Sequence, residues 1–199
     1  SWLNESSSGS FYLVKVEAVQ IGDSPPAPLL TLITGPSEES KEVGAAKKEI
    51  AERYNIRYRF WTELLERAKN KTKLHATISP GRHSWISAGA GKAGLAYVYA
   101  LRQHGAKVEL YIDRGKESGE ENKRIFDQLY RSKESIEKAF GGPLSWERLE
   151  GKRACRIAEY LSIGGYRDDS KWHAVQDAMI DAMIRFEKAL KPHIGTLKI

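Results

Sequence analysis

The chain has 199 residues and a mass of 22.4 kDa, with 41% apolar and 29% charged residues, which is enough to bury one ordinary core. A single cysteine, Cys155, excludes an internal disulfide framework and a zinc site built on cysteines. No apolar run approaches the roughly 18–20 residues of a membrane span. Residues 1–42 carry a net charge of −4, whereas residues 43–116 carry fifteen basic and six acidic side chains, a net of +9. Such an excess attracts phosphates, although an ordinary solvated surface can also carry it.

Residues 1–42 differ in composition from the rest of the chain. Alternating apolar residues from Phe11 to Ile21 predict one strand, and Leu29 to Thr34 predict a second, with three prolines between them. Two strands alone are marginal in water, so we expect a terminal hairpin of something larger, followed by a linker over residues 37–42. Because the chain starts at Ser1 and shows no signal peptide, we expect a cytoplasmic piece whose natural N-terminus lies upstream.

Residues 43–199 predict one α+β domain. Apolar spacings of three and four predict helices over residues 39–71 and 120–140, and a third that Ser170 caps and Pro192 ends. Between Trp85 and Asp113 we expect three strands, and a strand pair over residues 144–149 and 153–161. The order α-β-β-β-α-β-β-α, with tight turns, favours an antiparallel sheet of about five strands packed against three helices.

The segment Gly89-Ala90-Gly91-Lys92-Ala93-Gly94 matches the dinucleotide-binding fingerprint in letters alone. That motif needs a buried parallel strand before it and a helix after it. Here a short polar stretch precedes it, and residues 95–101 are aromatic and β-branched. These glycines are therefore interpreted as a flexible turn between two strands. Cys155 lies within a predicted strand and is interpreted as a buried small side chain.

Two carboxylates on one strand suggest a different chemistry. Glu109 and Asp113 share a side with Lys107 and Tyr111, and paired carboxylates near a lysine could hold Mg²⁺ for phosphodiester cleavage. Alternatively, these side chains are polar only because this face of the sheet is exposed to water. The five histidines show no zinc-binding spacing, so no metal site is expected from them.

Basic and aromatic residues in the middle third form the better candidate site. Arginine and lysine contact phosphates, while tryptophan stacks on an unpaired base. The predicted nucleic-acid-binding set is Arg82, His83, Trp85, Lys92, Arg102, Arg114 and Lys116. We expect the first four to cluster around one loop and strand, and the last three to lie at nearby strand ends. For each residue alone, burial in the core or simple solvation of a rim remains an alternative.

Five segments in order carry a family resemblance: residues 59–65, 108–115, 121–129, 144–149 and 152–157. Over about residues 45–195 the chain resembles domain of unknown function 4268, a prokaryotic domain. Residues 2–5, 11–17 and 21–28 are similar to the closing segment of the nuclease-like domain that commonly precedes this family, which itself resembles the PD-(D/E)XK superfamily. The resemblance implies a genome-defence or DNA-processing setting and assigns no catalytic residues, since any nuclease active site would lie upstream of residue 1.

The leading hypothesis is a non-catalytic accessory domain that binds nucleic acid, DNA foremost, beside a nuclease-like domain of the same chain. No cofactor, bound metal or membrane contact is expected. The first alternative is an oligomerisation or protein-interaction module, such as a homodimer, that uses apolar faces around Trp61 or Trp172. The second is a free-standing Mg²⁺ nuclease that uses Glu109 and Asp113.

Overall fold

The computed structural model describes residues 11–35 and 38–198. It forms two compact units, residues 1–53 and 54–199. The sequence motif at residues 2–5 lies outside the described residues, as do residues 36 and 37 between the hairpin and the first helix. No helix in the described part of the chain is long and apolar enough to cross a membrane.

The first unit contains the predicted hairpin. Strand β1 (Leu13–Val19) pairs antiparallel with β2 (Ala27–Thr34), with Val16 opposite Leu30. The turn is closed where Ser24 donates from its amide (3.2 Å) and hydroxyl (2.7 Å) to the Ile21 carbonyl. The large apolar side chains of this hairpin are 41–86% exposed, so the ribbon buries little of its own apolar surface. Helix α1 (Glu38–Lys69) follows, and residues 38–42, expected to be linker, are helical.

The second unit is the predicted α+β fold. Its strands are β3 (Trp85–Gly89), β4 (Leu95–Leu101), β5 (Ala106–Ile112), β6 (Ser145–Glu147) and β7 (Cys155–Leu161). Its other helices are α2 (Gly119–Tyr130), α3 (Lys133–Phe140) and α4 (Trp172–Gly195), the last preceded by a 3₁₀ turn at Asp169–Lys171. The sheet is antiparallel throughout, with the strands in the spatial order β3-β4-β5-β7-β6. The fold class is confirmed.

Strand alternation divides the sheet into two faces. On the first face, every second residue of the central strands, such as Tyr97, Val108 and Ile157, lies in one core cluster with the apolar residues of the helices. α1 contributes residues such as Leu64, and α4 contributes residues such as Phe186. The helices therefore cover the first face.

Three details of the predicted helices were wrong. The helix expected over residues 120–140 is divided at Arg131–Ser132, and this break separates α2 from α3. Helix α3 buries Ile136 and Phe140. α4 continues through Pro192 to Gly195, since a proline near a helix end removes only one late hydrogen bond. Ser170 lies in the 3₁₀ turn rather than at a helix cap.

The apolar faces proposed for a partner are also corrected. Trp61 has no exposed surface and Trp172 is 4% exposed, and both belong to the core cluster. Their rings each meet Phe60 edge to face at 5.3 Å. Neither tryptophan can present a docking surface in this fold.

Candidate nucleic-acid interface

The side chains opposite the helices form what we call the second face of the sheet. The pairing registers arrange them in three rows across the strands. The lower row is Trp85, Ala100, Lys107 and Tyr160; the middle row is Ser87, Val98, Glu109, Ala158 and Ser145; the upper row is Gly89, Ala96, Tyr111, Arg156 and Glu147. None of them belongs to the core cluster of the described residues.

Trp85 begins β3 at the lower end of the sheet and is 51% exposed. The exposed His83 ring stacks beside it, with centroids 5.9 Å apart and planes 21° apart. The buried Trp61 indole holds this segment, because its Nε1 donates to the His83 carbonyl at 2.9 Å. Arg82 is exposed one residue earlier. The core thus fixes the backbone that presents an aromatic pair beside a cation.

Arg102 and Tyr160 extend the lower end across the sheet. The Arg102 guanidinium carbon lies 5.8 Å from the centre of the Tyr160 ring, and Tyr160 is 46% exposed. The backbone of Arg102 is held by the Tyr166 amide, which donates to its carbonyl at 2.9 Å. Gly165 permits this approach, since a Cβ there would lie 2.3 Å from the Arg102 carbonyl oxygen. The Arg102 side chain therefore extends from a turn whose backbone is held by a hydrogen bond.

A charged network fills the middle of the second face. Lys107 and Glu109 are 4% and 6% exposed and form an ion pair. Arg156 lies between two carboxylates, 3.5 Å from Glu109 and 3.3 Å from Glu147. The Tyr160 hydroxyl donates to Glu147 at 2.6 Å. Two cations and two anions balance here, so this network adds no net positive charge to the second face.

The predicted binding set is not brought together in one place. Arg82, His83, Trp85 and Arg102 lie at the lower end, whereas three residues lie at the upper end: Lys92, Arg114 and Lys116. Seven-residue strands separate the two ends by about 20 Å. The sequence argument that these strand ends are near neighbours was wrong, because successive turns of an antiparallel sheet fall at alternate ends.

Two of the three upper-end cations are also occupied within the fold. Arg114 pairs with Glu121 at 3.0 Å and donates to the Ala93 carbonyl at 2.9 Å. Lys92 donates to the Leu197 carbonyl at 3.3 Å. Lys116 is exposed. The upper end therefore offers less free positive charge than the sequence predicts.

The two carboxylates considered for magnesium are each engaged by cations. Asp113 accepts two hydrogen bonds from Arg153, at 2.8 and 2.6 Å, which together with the Gly115 amide hold its pKa below the usual value. Glu109 is paired within the network already described. Over the residues that the structure describes, no group of three or more His, Cys, Asp or Glu side chains could hold a metal ion. Cys155 is a buried free thiol, as predicted, and burial raises its pKa.

Tyr160 and Arg156 belong to the candidate surface but were missed by sequence reasoning. The alternation of β7 places both on one side, which could be seen in residues 155–161. Their position beside Lys107 and Tyr111 follows only from the sheet order, in which β7 lies next to β5.

The second unit is thus an α+β domain whose helices cover one face of a five-stranded antiparallel sheet. Residues 56–194 match the family described as Domain of unknown function (DUF4268), and the chain belongs to that family. No curated protein and no solved structure matches the chain.

Proposed function

We propose that this protein binds nucleic acid through the lower end of the second face and stacks unpaired bases on it. We propose further that it acts as a non-catalytic accessory domain in a DNA-processing setting. The single observation that carries the proposal is Trp85, which is half exposed on the face opposite the helices, at the end of the sheet where Arg82 and Arg102 are also exposed. A large aromatic ring with no core role in such a place is a stacking platform for a base.

Exposed cations supply the contacts that phosphates need. Arg82 and Arg102 are both exposed at the lower end of the sheet, and each guanidinium can contact a phosphate through two hydrogen bonds. Arg102 also lies over Tyr160, so the same surface holds a second exposed ring for a neighbouring base. Rings flanked by arginines on an open antiparallel sheet favour a single strand over a duplex, whose bases are already stacked.

The neutral network in the middle of the second face supports this role indirectly. Lys107 and Glu109 pair on β5, which together with β4 lies between the strands that carry Trp85 and Tyr160. Because the network balances its own charges, it neither attracts nor repels a polyanion strongly. We therefore expect affinity to come from the lower end and to depend on salt.

Fluorescence anisotropy of a labelled 20-nucleotide single strand, titrated with the full chain at several salt concentrations, tests the proposal. Loss of one stacking contact costs about 1–3 kcal/mol, so Trp85→Ala should weaken binding by about fivefold or more. Arg102→Glu should weaken it on every sequence alike and flatten the salt dependence. Duplex DNA and single-stranded RNA of the same length serve as parallel probes.

Two matched controls locate the site. Lys116→Glu makes the same charge change as Arg102→Glu at the upper end, and Arg124→Glu makes it on the exposed surface of α2. We expect both to retain most of the affinity. Equal losses in all three variants would mean general electrostatics rather than a site, and absent or salt-independent binding would refute the proposal.

The hairpin of β1 and β2 supports the proposed DNA-processing setting. Its exposed apolar residues, such as Val16, Leu30 and Leu32, support the idea that it belongs to a larger preceding domain, which the sequence resemblance describes as nuclease-like. In a longer polypeptide that includes that domain, the amides of β1 and β2 should be protected from hydrogen exchange. Rapid exchange of β1 and β2 in that longer polypeptide would contradict the assignment.

Oligomerisation remains the alternative explanation, without the tryptophans first considered for it. Light scattering of the full chain, with and without the oligonucleotide, separates the two. A stable dimer that shows no affinity for nucleic acid would favour the alternative.

A further inference from the structure

The Tyr160 side chain lies along the second face of the sheet rather than standing up from it. Tyr160 belongs to the lower row, yet its hydroxyl donates at 2.6 Å to Glu147, which lies in the upper row on the neighbouring strand β6. Ala158 lies between these two rows and has no exposed surface, although it is on the second face. Tyr160 itself is 46% exposed. The ring therefore covers part of the sheet and turns one side toward solvent, which is the orientation that a stacked base requires.

The charged network of the second face fixes that orientation. Glu147 is 3.3 Å from Arg156, which also lies 3.5 Å from Glu109. Lys107 pairs with Glu109, and the Lys107 Nζ lies 5.7 Å from the centre of the Tyr160 ring. The network therefore contacts Tyr160 at both its hydroxyl and its ring. A ring that is already held in place loses little conformational freedom when a base stacks on it.

The strand registers set the distance between the two exposed rings of the lower row. Trp85 pairs with Ala100 across β3 and β4. Ala100 pairs in turn with Lys107, and Lys107 pairs with Tyr160, so three strand spacings separate the two aromatic residues. Neighbouring strands lie about 4.8 Å apart, which gives a separation of about 14 Å. The Tyr160 side chain reaches toward Glu147 on the strand beyond β7, so it does not shorten this distance.

The spacing of bases along a single strand is shorter than the distance between these rings. Adjacent bases lie about 3.4 Å apart when they are stacked, and roughly twice as far apart when the backbone between them is extended. One nucleotide step therefore cannot connect Trp85 to Tyr160, whereas two extended steps can.

We propose that the lower end of the second face is a site for three consecutive nucleotides of a single strand, an inference that rests on the nucleic-acid binding proposed above. The two outer bases stack on Trp85 and Tyr160, and the middle base lies over Ala100, whose small side chain leaves room for it. The Arg102 guanidinium carbon lies 5.8 Å from the centre of the Tyr160 ring, so it can contact a phosphate of the nucleotide stacked there. The two stacked bases are therefore neighbours on this surface but are not adjacent in the strand.

Nine-nucleotide DNA strands that carry one or two thymines and are otherwise abasic test this spacing. All of them present the same phosphates, so they differ only in the bases available for stacking. The two thymines are adjacent, or are separated by one or two abasic nucleotides, and each strand is titrated with the full chain by fluorescence anisotropy.

The expected affinities follow from the number of rings that each strand can reach. The adjacent pair should bind within about twofold of the single thymine, because it reaches one ring at a time. The pair separated by one nucleotide gains a second stacking contact, so it should bind about fivefold or more tightly than the adjacent pair. A second intervening nucleotide should give no further gain.

Exposed aromatic residues of the chain supply the variants and a matched control. Trp85→Ala and Tyr160→Ala should each abolish the preference for the spaced pair, because either change leaves a single ring for stacking. Tyr130 is 48% exposed, but it lies on α2 beside Phe126, on the side of the helices. Tyr130→Ala should therefore keep the preference of the parent chain.

The results separate this inference from the function on which it rests. The three-nucleotide site is overturned if the adjacent pair binds as tightly as the spaced pair, if a gain first arises at two intervening nucleotides, or if Tyr160→Ala and Tyr130→Ala have equal effects on the preference. In each of these cases, binding of the 20-nucleotide strand would leave the proposed function standing. No binding of that strand would overturn both proposals.

Discussion

The buried histidine of the second unit should make stability depend on pH in a defined way. His75 is 2% exposed, its ring centre lies 4.6 Å from that of Tyr99, and burial lowers its pKa from 6.5 to about 4. Because the folded pKa is the lower one, the unfolded chain takes up the proton first as the pH falls. The contribution of His75 to the free energy of unfolding is therefore largest above pH 6.5 and declines between pH 6.5 and 4.

The size of this effect follows from the two pKa values. One pKa unit corresponds to about 1.4 kcal/mol, so protonation of the unfolded chain at pH 5 costs about 2 kcal/mol of folding free energy relative to pH 7.5. The variant His75→Gln cannot titrate, so it should lack this part of the pH dependence whatever its stability at neutral pH. Urea unfolding of both proteins at pH 7.5, 6 and 5 measures the difference in slope.

His173 provides the matched control, because it is an exposed histidine on α4. We expect His173→Gln to keep the pH dependence of the parent chain. Carboxylates that titrate in the same pH range are common to all three proteins, so the difference between the two variants reports His75 alone. An identical pH dependence for His75→Gln and the parent would refute the reasoning.

The remaining predictions concern packing and a buried charge. Gly94→Ala should lower the free energy of unfolding by about 2 kcal/mol or more, because Gly94 has a φ of +80° and a Cβ there would lie 2.6 Å from the Arg114 Cα. Gly91 has a φ of +86° but open space around it, so Gly91→Ala should cost less in the same urea experiment. Equal losses of stability in the two glycine variants would contradict a steric clash at Gly94. Glu109→Ala should cost about 3 kcal/mol, because it leaves Lys107 buried and unpaired, and a double change of the pair to Leu and Met should recover much of this. A loss below about 0.5 kcal/mol for the single change would contradict a buried pair.

Local patterns in the sequence predict most of the elements. The strict alternation of residues 107–113 marks β5, and the spacing of Trp61, Leu64 and Leu65 marks the buried stripe of α1. The break at Ser132 was missed because the apolar spacing continues across it from Leu129 to Ile136. A helix boundary set by tertiary packing leaves little trace in local periodicity.

The candidate site was predicted only in part, because its assembly depends on contacts distant in sequence. Arg82 to Trp85 is a local segment, so its residues lie at one end of the sheet together. Arg114 was expected beside it, yet an antiparallel strand carries it to the opposite end, where Glu121 neutralises it. Tyr160 follows Ile112 by 48 residues in sequence and joins the candidate site because β7 lies next to β5. Charge counted along the chain cannot distinguish these arrangements.

Nitrogen–proton correlation NMR of the full chain, titrated with an unlabelled single-stranded oligonucleotide, tests the central claim most directly. We expect the indole signal of Trp85 to shift or broaden on addition of the oligonucleotide, while that of the buried Trp172 stays in place. Backbone signals near Arg102 and Tyr160 should move with it. An unchanged Trp85 signal at saturating oligonucleotide, or shifts confined to the helices and the upper end of the sheet, would contradict a nucleic-acid interface on the second face.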